Sequence, residues 1–299
     1  MKSTRKMAAL VLVVVLLLGT LVTGVSPSGQ AKKKTKTKAI TVSYTIFVGE
    51  KVTVFVDCGF DKIKSLKSSN TKVVRAAIKP EDSSIKFIEY VGEQFSARAL
   101  KTGKSTVTVK TKGKKTYKYK LTVKQLNLEC TPLRTADGKN LIKIKNNSGA
   151  FVPQAQINYS VLNESGNVIG KDSISVKDLA SGSTVFSGIN LDGATVTIDS
   201  VKPTAGDAVK NRKNASKEVK VGAEAKDGWI QVSTKEWKLK SAEDIRGYVT
   251  VVLFDASGNI LQYRKYEYDY EFSLFVNPDL WKVPNDYSYC KVYHNIVFD

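Results

Sequence analysis

The chain has 299 residues, of which 42% are apolar and 25% are charged, and its formal net charge at pH 7 is +19. This apolar content excludes an intrinsically disordered chain, because it is sufficient to form packed cores. A single histidine and three cysteines exclude a histidine-based zinc centre and a disulfide-rich scaffold.

Residues 1–31 have the composition of a signal peptide, so we expect an N-terminal signal helix that is removed from the mature chain. A basic start precedes the apolar stretch MAALVLVVVLLLGTLV, and Gly29–Ala31 places small residues where cleavage occurs. The uncharged stretch Met7–Val25 also leaves open an uncleaved membrane anchor. Cleavage is favoured, because an anchor would hold the following lysines outside, against the positive-inside rule.

Basic residues are concentrated at the start of the predicted mature chain. Residues 32–125 hold 23 Lys and Arg against 7 Asp and Glu, whereas residues 221–299 hold 9 against 12. Residues 32–39 form a basic linker that is either a solvated leader or a contact to an anionic wall polymer or phospholipid. The second interpretation predicts an anionic-surface contact through Lys32, Lys33, Lys34, Lys36, Lys38, Lys112, Lys114 and Lys115.

Residues 40–125 alternate apolar and polar side chains with the period of two that is typical of β-strands. Val52, Val54 and Val56 share one face of a predicted strand, and a Lys-Gly-Lys turn (Lys112–Lys114) separates the last two predicted strands. No segment has a helical apolar period of useful length. The pattern predicts an antiparallel β-sandwich with lysines on its solvent face.

Three segments of this region resemble the group-2 bacterial immunoglobulin-like domain. They are FVGEKVTV (Phe47–Val54), LKSSNTKVV (Leu66–Val74) and KTGKSTVTVKT (Lys101–Thr111). The resemblance covers residues 40–125 and implies an Ig-like sandwich of the kind found in surface and secreted proteins. It implies no catalytic residues.

The rest of the chain contains an internal repeat. A Ser-Gly-Asn triplet at Ser165 returns at Ser257, 92 residues later, and apolar positions around the first triplet fall on apolar positions around the second. Residues 126–220 and 221–299 are therefore predicted to be two β-sandwiches that each bury their own core. The polar segment Ala205–Val219 is predicted to be a long loop or the linker between them.

Both copies resemble the FxLYD-type domain, a small sandwich with an aromatic-x-Leu-Tyr-Asp strand before a turn. Tyr159–Asn163 and Val251–Asp255 occupy that strand. Residues 126–220 match it better, through Leu179, Gly182 and Phe186, and residues 221–299 form a degenerate second copy. The expected fold is therefore all-β, with tandem Ig-like antiparallel β-sandwiches after the signal helix.

The residue pattern does not indicate an enzyme, and no cofactor is expected. His294 is the only histidine and lies close to the C-terminus, which disfavours a hydrolytic triad. The alternating acids Glu267, Asp269 and Glu271 are either the solvated face of a strand or a glycosidase pair, and we favour the former. Each predicted sandwich contains one cysteine: Cys58, Cys130 and Cys290. Either all three are small buried apolar residues, or Cys130 and Cys290 form a disulfide bridge.

All three tryptophans lie in residues 221–299. Their large side chains either fill the core of a small domain, which we favour, or stack on a sugar or peptide. Trp281 and Tyr287, in the loop-like segment NPDLWKVPNDY, are the better candidates for exposure and ligand stacking.

These observations predict an exported bacterial protein that is secreted or held at the outer face of the cell envelope. We expect a structural or adhesive role, with the N-terminal module contacting an anionic envelope polymer or membrane surface. The alternative is a carbohydrate- or peptide-binding protein that uses the aromatic C-terminal module, so a glycan or a protein is a further expected partner. Nucleic acid is not, because base stacking requires aromatic residues beside the positive groove.

Overall fold

Strands are the regular elements of this protein, and the all-β class predicted from the sequence is confirmed. The computed structural model describes residues 39–78, 93–210, 212–239, 245–269, 274–276 and 281–298. These residues belong to one compact unit, Thr37–Asp299. The predicted signal helix and lysines 32–38 lie outside the described residues. Within the described ranges, no helix has the length and apolar character needed to cross a bilayer.

Seven strands enclose the first apolar core. They are β1 (Ile40–Phe47), β2 (Lys51–Val56), β3 (Ile63–Ser68), β4 (Val74–Ile78), β5 (Glu93–Ala99), β6 (Gly103–Thr111) and β7 (Thr116–Lys124). One sheet has the strand order β1-β7-β6-β3, and the facing sheet contains β2-β5-β4. Val54, Phe95 and Tyr119 are among the buried side chains between the sheets. β1 pairs with β7 in parallel, from Ile40 opposite Tyr117 to Phe47 opposite Lys124.

Six strands form the second sandwich. They are β8 (Leu128–Arg134), β9 (Asn140–Asn146), β10 (Val152–Leu162), β11 (Val168–Leu179), β12 (Thr184–Gly188) and β13 (Thr195–Pro203). The two sheets have the orders β11-β10-β13 and β12-β9-β8. Their core includes Ile144, Ile157 and Tyr159, and Phe47 from the end of β1 also packs into it.

The remaining strands are β14 (Gly206–Asp207), β15 (Lys213–Asn214), β16 (Val219–Lys226), β17 (Trp229–Trp237), β18 (Ile245–Phe254), β19 (Ile260–Asp269), β20 (Leu274–Val276) and β21 (Tyr289–Phe298). A sheet of order β15-β21-β18-β19-β20 faces the two-stranded sheet β16-β17. Val251, Tyr266 and Trp281 are buried in the third core, between these sheets.

The internal repeat is visible as two hairpins with the same register. β10 and β11 pair with Ile157 opposite Ile174, and β18 and β19 pair with Val249 opposite Tyr266, so both residue numbers rise by 92. Each hairpin has a register shift before the last residue of its first strand. The shared apolar pattern therefore specifies the same strand pairing twice, as a fixed register requires.

The two repeated turns also share their hydrogen bonds. In the first, the Asn167 N–H donates to Asn163 Oδ1 at 2.9 Å, and the Gly166 N–H donates to the Asn163 carbonyl at 3.0 Å. In the second, the Asn259 N–H donates to Asp255 Oδ1 at 2.8 Å. Gly258 has a φ of +84° and Gly166 a φ of +79°, a left-handed conformation that glycine adopts without strain.

The central strand β18 of the sheet β15-β21-β18-β19-β20 packs apolar side chains on both faces of the sheet. Val249 and Val251 point into the third core. Their neighbour Val252 points the other way and packs with Leu141 of β9 and Phe186 of β12. The prediction that each copy buries only its own core did not include this shared cluster. Its signal is the nearly continuous apolar run in β18, which is typical of a strand buried on both sides.

A buried polar contact also joins the second and third sandwiches. Asn295 of β21 is 0% exposed. Its Oδ1 accepts a hydrogen bond from the Ala180 N–H at 2.9 Å, and its Nδ2 donates to the Asp178 carbonyl at 3.1 Å. The side chain thus provides hydrogen-bond partners for two backbone groups at the β11–β12 turn. Burying these groups without a hydrogen bond would destabilise the fold.

The polar segment Ala205–Val219, predicted as a loop or linker, adds short strands to two sheets. β14 pairs in parallel with β2, with Gly206 opposite Val52, and so extends the second sheet of the first sandwich. β15 pairs with the end of β21. Between them, Arg212 forms a 2.7 Å ion pair with Asp178. The segment therefore links the first sandwich to the third.

A buried acid lies in the β1–β2 turn. Glu50 Oε2 accepts a hydrogen bond from the Phe47 N–H at 2.7 Å. Burial raises the pKa of this carboxyl group from 4.5 to about 7, although the hydrogen bond from Phe47 opposes that shift. The folded chain therefore holds a proton that the unfolded chain releases between these two pH values.

We expect the second and third sandwiches to unfold together because of the shared cluster. Ile157→Ala removes a side chain that is buried in the second core and is expected to lower the free energy of unfolding by about 3 kcal/mol. The fluorescence of the three tryptophans, all in residues 221–299, should report the same loss as circular dichroism.

The matched control is Ile169→Ala, since Ile169 is 54% exposed on β11 and its truncation should change stability by no more than about 0.5 kcal/mol. An unchanged tryptophan transition in Ile157→Ala, with an earlier transition by circular dichroism, would contradict the coupling.

Glu50 makes a pH-dependent contribution to stability. Because its folded pKa is raised, this contribution is fully present below about pH 4.5 and is lost as the pH rises to about 7. Glu50→Gln, which resembles the protonated acid, should be more stable than the wild type at pH 8 by roughly 3 kcal/mol, and nearly equal to it at pH 4.5. Urea unfolding at both pH values tests this, with the exposed Glu224→Gln as control. A pH-independent difference would refute it.

Candidate functional site

The outer surface of the sheet β1-β7-β6-β3 is formed by lysines and hydroxyl side chains. Alternation places Tyr117, Tyr119 and Val109 in the core, and their neighbours along the strands outside. We call the outward residues the lysine face: Thr41, Ser43, Ser65, Lys67, Lys104, Thr106, Thr108, Lys110, Lys118, Lys120 and Thr122.

The lysine face contains no acid, because the four strands that form it have neither Asp nor Glu. Its five lysines are exposed, and among the described residues none of them takes part in a salt bridge. Neighbours such as Lys118 and Lys120 lie about 7 Å apart along a strand, where two like charges repel by about 0.6 kcal/mol in water. Binding an anionic partner would relieve this repulsion.

The β6–β7 turn places the predicted contact residues Lys112, Lys114 and Lys115 at one end of the sandwich, and all three are exposed. Gly113 between them donates its N–H to both carboxylate oxygens of Asp61, at 2.9 and 3.0 Å. A Cβ at position 113 would lie only 2.6 Å from Asp61 Oδ2, so glycine allows this close approach.

Hydrogen bonds keep Asp61 ionised. Its pKa is lowered first by a hydrogen bond from the Thr111 side chain and then by the Gly113 N–H, with a smaller effect of the Lys115 charge. The Lys112 N–H also donates to the Lys62 carbonyl at 2.9 Å. The β6–β7 turn is thus fixed to the β2–β3 loop. We call these two segments together the tip of the first sandwich (residues 57–62 and 111–116).

The predicted contact residues of the basic linker, Lys32, Lys33, Lys34, Lys36 and Lys38, lie outside the described residues. The structure does show where the chain enters the sandwich. Ile40, the first residue of β1, pairs with Tyr117, next to the tip. β1 therefore begins at the tip.

Phe60 is an exposed apolar residue that the sequence analysis missed. It lies in the β2–β3 loop and is 91% exposed. Its sequence signal is an aromatic residue in the turn-like stretch Cys58–Asp61, immediately after a strand and outside the alternating pattern. Phe60 therefore adds an apolar group to a tip that otherwise presents lysines.

The expected exposure of Trp281 is wrong, because its side chain is only 2% exposed. Its Nε1 donates to Gln262 Oε1 at 2.7 Å, and the Arg264 guanidinium lies 5.3 Å from its ring centroid. Tyr266 packs beside it with ring centroids 6.4 Å apart. Trp281 thus fills the third core, which is the role that the sequence analysis favoured for the aromatic residues of this region, and it offers no open face to a ligand.

Tyr287, the other predicted stacking residue, is half-buried against the third core. Burial raises its pKa to about 12. A cleft of about 700 Å³ instead opens between the second and third sandwiches, beside Phe186, Tyr248 and Tyr263. Lys265 crosses it, with Nζ 3.9 Å from the Tyr248 ring centroid. Aromatic walls with charged groups suit sugars or peptides.

His294, Glu267 and the three cysteines make the following contacts within the protein. The His294 Nε2 accepts a hydrogen bond from the Val221 N–H at 3.0 Å, and burial lowers the pKa of its ring. Glu267 on the exposed side of β19 pairs with Lys265 at 3.0 Å. The three cysteines are free thiols, which leaves no Cys130–Cys290 bridge. Among the described residues, no cluster of three or more His, Cys, Asp or Glu side chains can hold a metal.

No protein-family model matches the chain, and no curated protein matches it. The resemblances to the bacterial immunoglobulin-like and FxLYD-type domains therefore stay predictions, and the geometry of the lysine face and the tip carries the functional argument.

Proposed function

We propose that this is an exported, non-enzymatic protein of the bacterial cell envelope, with a structural or adhesive role, whose first sandwich binds an anionic surface. The signal-like residues 1–31 support export, and the Ig-like and FxLYD-type resemblances support a role at the cell surface.

The lysine face is the observation that carries the proposal. A flat, exposed array of five lysines without a neighbouring acid creates a positive potential that attracts a polyanion over about a Debye length. The hydroxyl groups of Thr106 and Thr108 lie between the lysines and supply hydrogen-bond donors for phosphate or sugar oxygens. The face has no aromatic side chain for stacking bases, which supports an envelope polyanion over nucleic acid.

Neutralising the lysine face should weaken binding to a soluble glycerol-phosphate polymer. The triple variant Lys67→Gln, Lys118→Gln and Lys120→Gln, in the chain from Lys32 onward, is expected to bind about a hundredfold more weakly at low salt, since each contact contributes roughly 1 kcal/mol. Raising the salt from about 0.05 M to 0.3 M should weaken the wild type similarly, because the exposed charges are then screened.

The matched control substitutes three exposed lysines outside the first sandwich with glutamine, namely Lys171, Lys202 and Lys226. It has the same net charge as the test variant. Equal losses in both triple variants would mean that only net charge matters, and salt-insensitive binding would remove the electrostatic contact altogether.

The cleft between the second and third sandwiches supports a second candidate function, the binding of a glycan or peptide. Tyr268 lines the cleft and stacks on Trp237, with ring centroids 5.8 Å apart, so a ligand there should change tryptophan fluorescence. Titration with N-acetylglucosamine oligomers is expected to give a saturable change that Tyr248→Ala weakens at least tenfold. A flat titration for this glycan class and for a peptide library would exclude it.

A further inference from the structure

We propose that the tip of the first sandwich docks onto an anionic phospholipid bilayer, with Phe60 entering the interfacial region and the surrounding lysines contacting the head groups. The inference rests on the proposed binding of an anionic surface and names that surface. It concerns the tip and not the lysine face.

A tight turn presents Phe60 to solvent. The Asp61 N–H donates to the Cys58 carbonyl at 3.3 Å, and Gly59 has a φ of +62°. The buried Cys58 fixes the start of this turn, since its Sγ donates to the Asp61 carbonyl at 3.0 Å. The ring of Phe60 is thus held outward by contacts that do not involve the ring.

Lysines are held next to this ring. The carboxylate of Asp61, the next residue, binds the Gly113 N–H, so the turn that carries Lys112, Lys114 and Lys115 lies against the Phe60 loop. The same carboxylate fixes both halves of the tip. An aromatic residue and a basic cluster are therefore presented together, as in proteins that bind the interface of anionic membranes.

The charge balance of the tip favours an anionic partner. Among the described residues, the acids at this end of the first sandwich are Asp57, Asp61 and Glu93. Asp61 is engaged by Gly113, and Glu93 pairs with Lys62 at 3.1 Å. The lysines described at the same end are Lys62, Lys64, Lys112, Lys114 and Lys115.

The position of the tip permits a bilayer to approach it. β1 runs from the tip to Phe47, which is buried in the second core, so the second sandwich lies at the opposite end. Ile40 is a second exposed apolar side chain at the tip end, at 53% exposure. A hydrated polyanion offers no apolar phase for Phe60 and Ile40, whereas the bilayer interface does, and this selects the bilayer as occupant.

Vesicle binding by the chain from Lys32 onward tests the proposal, using vesicles of phosphatidylglycerol and phosphatidylcholine, vesicles of phosphatidylcholine alone, and the soluble glycerol-phosphate polymer. Phe60→Ser should weaken binding to the anionic vesicles about tenfold and leave polymer binding unchanged. The control Ile169→Ser, at an exposed apolar residue of the second sandwich, should change neither.

Phe60→Trp supplies a direct readout of insertion. Its difference fluorescence against the wild type should shift to shorter wavelength on anionic vesicles and be quenched by lipid brominated near the head group. Lys112→Gln, Lys114→Gln and Lys115→Gln together should abolish that shift at moderate salt. Tight binding to vesicles of phosphatidylcholine alone would overturn the role of the lysines, and with it the proposal.

The two proposals fail differently. Anionic-vesicle binding that is unaffected by Phe60→Ser, without a shift in Phe60→Trp, would overturn docking through the tip and leave the electrostatic function in place. Absence of binding to both anionic probes at low salt would overturn the proposed function itself, and the docking with it.

Discussion

Apolar packing on both sides of strand β18 holds the second and third sandwiches together. If the two sandwiches separated, Val252 and its neighbours would expose an apolar surface to water. Each sandwich therefore has an apolar patch on its outer surface that the other one covers. The buried Asn295 makes this contact geometrically specific, because its hydrogen bonds require one relative position of β21 and the β11–β12 turn.

The first sandwich is fixed to this assembly in a way that leaves its charged surfaces exposed. β14 extends the sheet that contains β2, and Phe47 inserts into the second core at the far end of β1. Neither contact uses the outer side of the sheet β1-β7-β6-β3 or the tip. The lysines therefore lie on a surface that takes no part in packing between the sandwiches. There, repulsion between exposed charges lowers the free energy of unfolding only slightly.

Period-two alternation made much of this architecture predictable. It identified the all-β class, and the apolar positions that repeat at an offset of 92 around Ser165 and Ser257 lie on two hairpins with the same register. The alternation of apolar and polar residues predicts these features because it determines which face of the sheet each side chain occupies, and this in turn restricts how strands pair. The lysines of the β6–β7 turn were likewise identified from composition.

The burial and pairing of residues by parts of the chain that are distant in sequence could not be predicted from the same signals. Trp281 lies in a stretch rich in Pro, Asn and Asp that is typical of exposed loops, yet Gln262, Arg264 and Tyr266 cover it. The segment around Gly206 is too polar to indicate a strand, and only the neighbouring edges of β2 and β21 supply its partners. Phe60 stands out in the sequence only as an aromatic residue in a turn, and its place beside the lysine-bearing turn depends on the contact between Asp61 and Gly113, which are distant in the sequence.

The parallel pairing of β1 with β7 gives the molecule a mechanical property. β1 receives the N-terminal chain at Ile40, and β7 leaves the sandwich at the other end through Lys124, towards the remaining strands. A pulling force between a surface-bound N-terminus and the rest of the molecule would act along both strands in opposite directions. The whole ladder from Ile40 to Phe47 would then carry the load in shear, and rupture would require its hydrogen bonds to break together instead of one after another.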